Sequence, residues 1–103
     1  MSLVFHHAPM STAVVTHWVL EELGVPYEKV KVDLKARDQD KPAFRALNPN
    51  GKVPTLVHDD IPIFESAAIT LHLGETFGVE RKLFPPPGTE RARAMSWLSL
   101  IHI

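Results

Sequence analysis

Residues 48–54, Asn-Pro-Asn-Gly-Lys-Val-Pro, hold two prolines, two asparagines and a glycine, a stretch through which no regular element can run. The chain must therefore solve two local problems, one on each side of this break. On the N-terminal side, Leu3-Val4-Phe5 is a short apolar run that meets the breaker Ala8-Pro9, which predicts a buried strand entering a loop. Val14, Val15, Trp18, Val19 and Leu23 then recur at helical spacing and are expected to face a core. Ser11 or Thr12 can cap the start of that helix, and Gly24 stops it ahead of Pro26. From Tyr27 to Leu34, Val30, Val32 and Leu34 alternate with Lys29, Lys31 and Asp33, the pattern of a half-exposed strand. Strand, helix and strand in about 30 residues make a βαβ unit, whose right-handed crossover sets the two strands parallel.

A charged stretch, 35–41, leads into a short helix with Pro42 at its first position and Phe44 and Leu47 as apolar contacts. Beyond the break, Val53 to Val57 and Ile61 to Phe64 read as two strands joined through His58-Asp59-Asp60, a β-hairpin. Glu65-Ser66 opens a helix expected to turn Ala68, Ile69, Leu73 and Phe77 inward and to stop at Gly78. Residues 79–88, with Pro85-Pro86-Pro87-Gly88, form a stiff linker, and Thr89 is expected to cap a last helix within 89–103. That helix exposes Trp97, Leu98, Leu100 and Ile101 with little left to cover them, so a truncated protein is expected, or else final residues of foreign origin.

Composition removes several function classes. Eleven Lys and Arg against twelve Asp and Glu give a formal charge of −1, without the basic excess of a nucleic-acid binder. No apolar run has the length of a membrane span, and a cytoplasmic protein is expected. The absence of cysteine rules out disulfides, thiolate metal sites and dithiol redox chemistry, so any reactive sulfur must arrive with a ligand. The six histidines, His6, His7, His17, His58, His72 and His102, are scattered without metal-ligand spacing, and no metal site is expected.

Four segments carry a resemblance: Ala8-Pro9 after the first strand, Leu20-Glu21-Glu22-Leu23-Gly24, Asn48 to Leu56, and Ile63-Phe64-Glu65-Ser66-Ala67-Ala68-Ile69. In this order and spacing they resemble the N-terminal domain of glutathione S-transferases over residues 1–78. The resemblance implies a thioredoxin-like α/β fold, βαβ-α-ββ-α, with a mixed four-stranded sheet and flanking helices. It also implies that 79–88 links this glutathione-binding domain to an all-helical one, of which 89–103 is the first helix.

What the family implies for single residues is specific. The Val53-Pro54 step, where a cis bond costs only about 0.5–1 kcal/mol, can turn the Val53 N–H and C=O outward. There they pair with the cysteinyl backbone of glutathione, a form of strand addition. Ser66 and the amides of its helix take the γ-glutamyl carboxylate, and Glu65 takes the ammonium. Lys52 lies beside this anchor, Lys41 and Lys35 are candidates for the glycyl carboxylate, and His7 borders the cleft. The residue that holds the thiolate by a hydrogen bond falls in register with Met10, Ser11 or Thr12. Met10 cannot donate, which leaves Ser11 first and Thr12 second. The implied activity is attack of glutathione thiolate on a small electrophile or peroxide, as in detoxification, by a protein that forms a homodimer at full length. Two alternatives stand beside it: a noncatalytic binding or assembly module with this fold, and an inactive fragment lacking the electrophile-binding helical domain.

Overall fold

The computed structural model describes residues 1–102; Ile103, the last position of the expected 89–103 segment, lies outside them. The elements are β1 (Leu3–His7), α1 (Ala13–Leu23), β2 (Glu28–Lys31), α2 (Pro42–Leu47), β3 (Thr55–His58), β4 (Ile61–Phe64), α3 (Ser66–Leu73) and α4 (Thr89–Leu100). A 3-10 turn, Asp38–Asp40, precedes α2, and a π-helical turn, Gly74–Gly78, extends α3.

The sheet order is β2-β1-β3-β4. β1 runs parallel to β2, with Val4 opposite Glu28 and His6 opposite Val30, and antiparallel to β3, with Phe5 opposite Leu56. β3 and β4 form the hairpin, Leu56 facing Ile63. Pro62 sits in β4, an edge strand, where a missing N–H removes no interior ladder bond. This mixed four-stranded sheet with helices is the thioredoxin-like arrangement. Its core joins Leu3 and Phe5 of β1, Ala13, Leu20 and Leu23 of α1, Leu56 of β3, and Ile69 and Leu73 of α3.

The structure departs from the sequence pattern in places with clear physical causes. β2 is shorter than the alternation over 27–34. Its ladder ends with Val32 N–H on the His7 carbonyl, 2.7 Å, after which Asp33 Oδ1 accepts the N–H groups of Lys35 and Ala36 and bends the chain away. Of the three alternating apolar residues only Val32 is buried; Val30 and Leu34 are exposed. On α1 the buried stripe is Ala13, Thr16, Leu20 and Leu23, so Trp18, expected inward, is 69% exposed, with its Nε1 donating to Glu22. A buried threonine disguised the true face, and valines on both sides of the helix obscured the phase. Ala68 is likewise exposed while Ile69 and Leu73 are buried. α1 ends as expected, with Gly24 at φ 68° and its N–H on the Leu20 carbonyl, a conformation that costs glycine little. No helix among the described residues is long and apolar enough to cross a membrane.

Candidate functional site

The break at 48–54 is organised by a buried side chain. Asn48, 1% exposed, donates from Nδ2 to the Lys52 carbonyl at 3.0 Å and to Thr55 Oγ1 at 3.2 Å. Its Oδ1 accepts the Asn50 N–H and Nδ2 at 2.9 and 3.1 Å. Thr55, also fully buried, donates to the same Lys52 carbonyl at 3.0 Å. All the polar atoms of this amide thus have partners, as a buried amide requires. The loop is thereby tied at both ends, to the C-terminus of α2 and to the start of β3. Between them lies the Val53-Pro54 peptide, which is cis.

On the far side of the hairpin, Glu65 is the residue before α3 and has φ 77° and ψ 126°. A side chain with a Cβ pays about 1–3 kcal/mol for such backbone, and outliers of this kind gather at ligand sites. No side chain caps α3, so the amide groups of its first turn, at the positive end of the helix, point out without a side-chain acceptor. Ser66 is the first residue of that turn.

These segments meet α1 around a cavity of about 360 Å³, lined by Thr12, Val15, Lys52, Val53, Pro54, Glu65, Ser66 and Ala67, with Ile101 and His102 after α4. Thr12 Oγ1 donates to the Val53 carbonyl across it at 3.5 Å, a long and weak bond. Six of the residues singled out from sequence thus share one cavity: Thr12, Lys52, Val53, Pro54, Glu65 and Ser66. Ser11 does not line it. Its hydroxyl donates to the Ala8 carbonyl at 2.6 Å and accepts the Ala13 N–H at 3.2 Å, so it holds the β1–α1 turn one residue before the N-cap position, Thr12, whose own side chain makes no capping bond. Met10 beside it is fully exposed at φ 60°.

Lys41 lines a different depression, with His6, Val30 and Phe44, and its Nζ lies 2.6 Å from Asp38 Oδ1. That hydrogen bond holds the Asp38 carboxyl below the usual carboxylate range and the Lys41 ammonium above the usual lysine range. His7 borders a small pocket of about 80 Å³ with Pro9, Met10 and His17, apart from the main cavity. Burial lowers its pKa, and Lys29, His17 and Lys31 lower it further. Asn48 and Thr55 were missed in sequence, as were Val15, Ile101 and His102. An asparagine followed by Pro-Asn-Gly could have been read as a side chain organising its own turn.

A family model described as the N-terminal domain of glutathione S-transferase matches residues 1–75. The chain belongs to the glutathione S-transferase family. Glutathione S-transferase 3 of Schizosaccharomyces pombe is 42% identical over 76 residues, 74% of this chain and 31% of the relative. Among solved structures, the glutathione transferase URE2P8 of Phanerochaete chrysosporium, with oxidized glutathione, superimposes with a TM-score of 0.85 at 33% identity, over 93% of this chain and 46% of that one. A glutathione transferase homologue from Sulfitobacter, with bound glutathione, gives a TM-score of 0.81 at 29% identity, over 95% and 49%. This glutathione S-transferase chain spans less than half the length of such curated relatives, from 29 to 45%.

Proposed function

We propose that the cavity between α1, the 52–54 step and the start of α3 is a glutathione site, and that the whole protein is a transferase using the bound thiol. The observation that carries this reading is the convergence of Thr12, Lys52, Val53, Pro54, Glu65 and Ser66 on one cavity. The chemistry follows from what each can do. The Val53 N–H and C=O match a peptide backbone laid alongside them. Ser66 and the open amides of α3 suit a carboxylate, and Glu65 suits the neighbouring α-ammonium. Lys52, at the rim, is the cation within reach of a second carboxylate, since Lys41 would first have to leave Asp38.

The sulfur then lies at the N-terminus of α1, where a hydroxyl donates to it and the helix dipole favours its negative charge. Thr12 gives up only a weak bond to do so, whereas Ser11 must exchange its 2.6 Å bond to Ala8. In the reaction the thiol proton passes to solvent, the thiolate forms a bond to an electrophilic atom or a peroxide oxygen, and the bond from that atom to the leaving group breaks, the leaving group departing with its electron pair. These residues orient and stabilise charge; none forms a covalent bond. The electrophile site and homodimer contacts are proposed for a helical domain reached through 79–88 and begun by 89–103, and the cytosol for the reaction.

A second reading, a noncatalytic glutathione-binding module or an inactive fragment, is favoured by the engagement of the Ser11 hydroxyl with Ala8 and Ala13. Calorimetry with glutathione, combined with thiolate absorbance of the bound ligand across pH, separates these readings. Ser66→Ala is expected to weaken binding about tenfold, the scale of one charge-assisted hydrogen bond. Unchanged affinity in that variant refutes the site. Binding without any lowering of the thiol pKa selects the noncatalytic module.

A further inference from the structure

The histidines scattered in the sequence are not all scattered in space. His58 ends β3 and His72 lies in the last turn of α3, and His58 Nδ1 is 2.8 Å from His72 Nε2. The ring centroids are 5.1 Å apart and the planes are inclined by 60°. So short a nitrogen–nitrogen approach needs one proton between the rings, one nitrogen donating and the other accepting through its lone pair. The bond survives while at least one ring is neutral. With both protonated, two N–H groups and two positive charges face each other, and the contact must open.

We propose that His58 and His72 form a pH-sensitive clasp between β3 and α3, whose double protonation loosens the cavity that the opposite ends of these two elements build. The link to glutathione rests on the reading of that cavity given above. β3 begins directly after Val53-Pro54 and α3 begins at Ser66, so the clasp joins the far ends of both walls. The hairpin turn, the π-turn and α4 place charged and aromatic groups around the pair. Asp59 Oδ2, in the hairpin turn, is 3.6 Å from His58 Nε2, the nitrogen outside the clasp, while its Oδ1 accepts the Ser2 N–H. On the π-turn, the Phe77 ring packs 5.9 Å from His58, and Arg81 lies over that ring at 6.0 Å. Glu75, on the same turn, attracts a proton to His72, but Arg91 of α4 lies 3.8 Å from it.

Burial, then the charge of His58, holds His72 below the ordinary histidine pKa of 6.5, against the smaller pull of Glu75. The unfolded chain therefore takes the proton first, and this contribution to stability is present above pH 6.5 and is lost as pH falls through the folded value.

The test is a titration of the 103-residue chain from about pH 7.5 to about pH 5, a window that spans ordinary histidine protonation. Ring nitrogens and backbone amides are followed by NMR, and glutathione affinity by calorimetry. The Val53 and Ser66 amides are expected to move with the His58 and His72 rings, and the glutathione Kd to rise about fivefold, the low end of ordinary coupling between sites. His72→Gln keeps a donor and an acceptor but takes no proton, and should flatten both responses; His58→Gln repeats the test should the first variant fold poorly. Amides that ignore the ring titration, or titrate identically in the variants, overturn the clasp. Amides that follow the rings while glutathione binds at no pH support the clasp and refute the ligand assigned to the cavity.

Discussion

Replacing Asn48 by alanine should damage both the fold and the site, because one buried amide ties the loop that carries Val53 to the elements on either side. The substitution removes two donated bonds, to the Lys52 carbonyl and Thr55 Oγ1, and two accepted from Asn50. The exposed Asn50 groups turn to water at little cost, and the Lys52 carbonyl keeps the Thr55 hydroxyl. What is lost is two enclosed hydrogen bonds, worth about 1 kcal/mol each, and the packing of the side chain, for a total of about 2–3 kcal/mol. For a domain of this size that lowers Tm by roughly 10–20 °C. Asn48→Asp should do more harm at neutral pH, since a carboxylate has no proton for Lys52 or Thr55 and sets a buried negative oxygen against the Lys52 carbonyl, with only the Asn50 N–H groups to offset its burial. Its folded pKa would then lie above the unfolded value of about 3.9, so its destabilisation should ease as pH falls through the folded value. Urea unfolding followed by far-ultraviolet circular dichroism, with Asn50→Ala as the control, measures both effects. A loss below about 0.5 kcal/mol for Asn48→Ala, within the range of ordinary surface substitutions, refutes the argument.

Glu65→Gly should relieve the φ 77° backbone and stabilise the fold by up to about 1 kcal/mol while weakening glutathione binding, whereas Glu65→Gln should weaken binding without the gain in stability; thermal melts and calorimetry on the pair check this. Ser11→Ala should cost about 1 kcal/mol through the two lost turn hydrogen bonds, measurable by urea unfolding. If Ser11 also serves the sulfur, the thiol pKa of bound glutathione rises in Ser11→Ala, whereas a rise confined to Thr12→Ala assigns that role to Thr12. Leu73→Ala, at a fully buried position between sheet and α1, should cost about 2–5 kcal/mol by the same denaturation assay.

Where a residue announces its own backbone geometry, the sequence was legible. Gly24 stops α1, Pro42 starts α2, the acidic pair at 59–60 turns the hairpin, and Ile61 to Phe64 form β4 within the expected bounds. These are local constraints, set by a missing Cβ, a fixed φ or a side chain that bonds its own backbone. Helix phase was harder to read. On α1 the apolar residues are spread over too wide an arc to define one face, and the core took Thr16 while leaving Trp18 outside.

Composition, punctuation and four short segments thus determined by themselves the order of elements, the fold class and the family, because these depend on neighbours in the chain. Only the tertiary structure decided that the Ser11 hydroxyl is spent on the β1–α1 turn, that Lys41 belongs to Asp38, and that Asn48 and Thr55 brace Val53. It alone brought His58 to His72 across fourteen residues. Each of these depends on where a side chain's hydrogen bonds end after folding, and that is set by which strand and helix come to lie side by side.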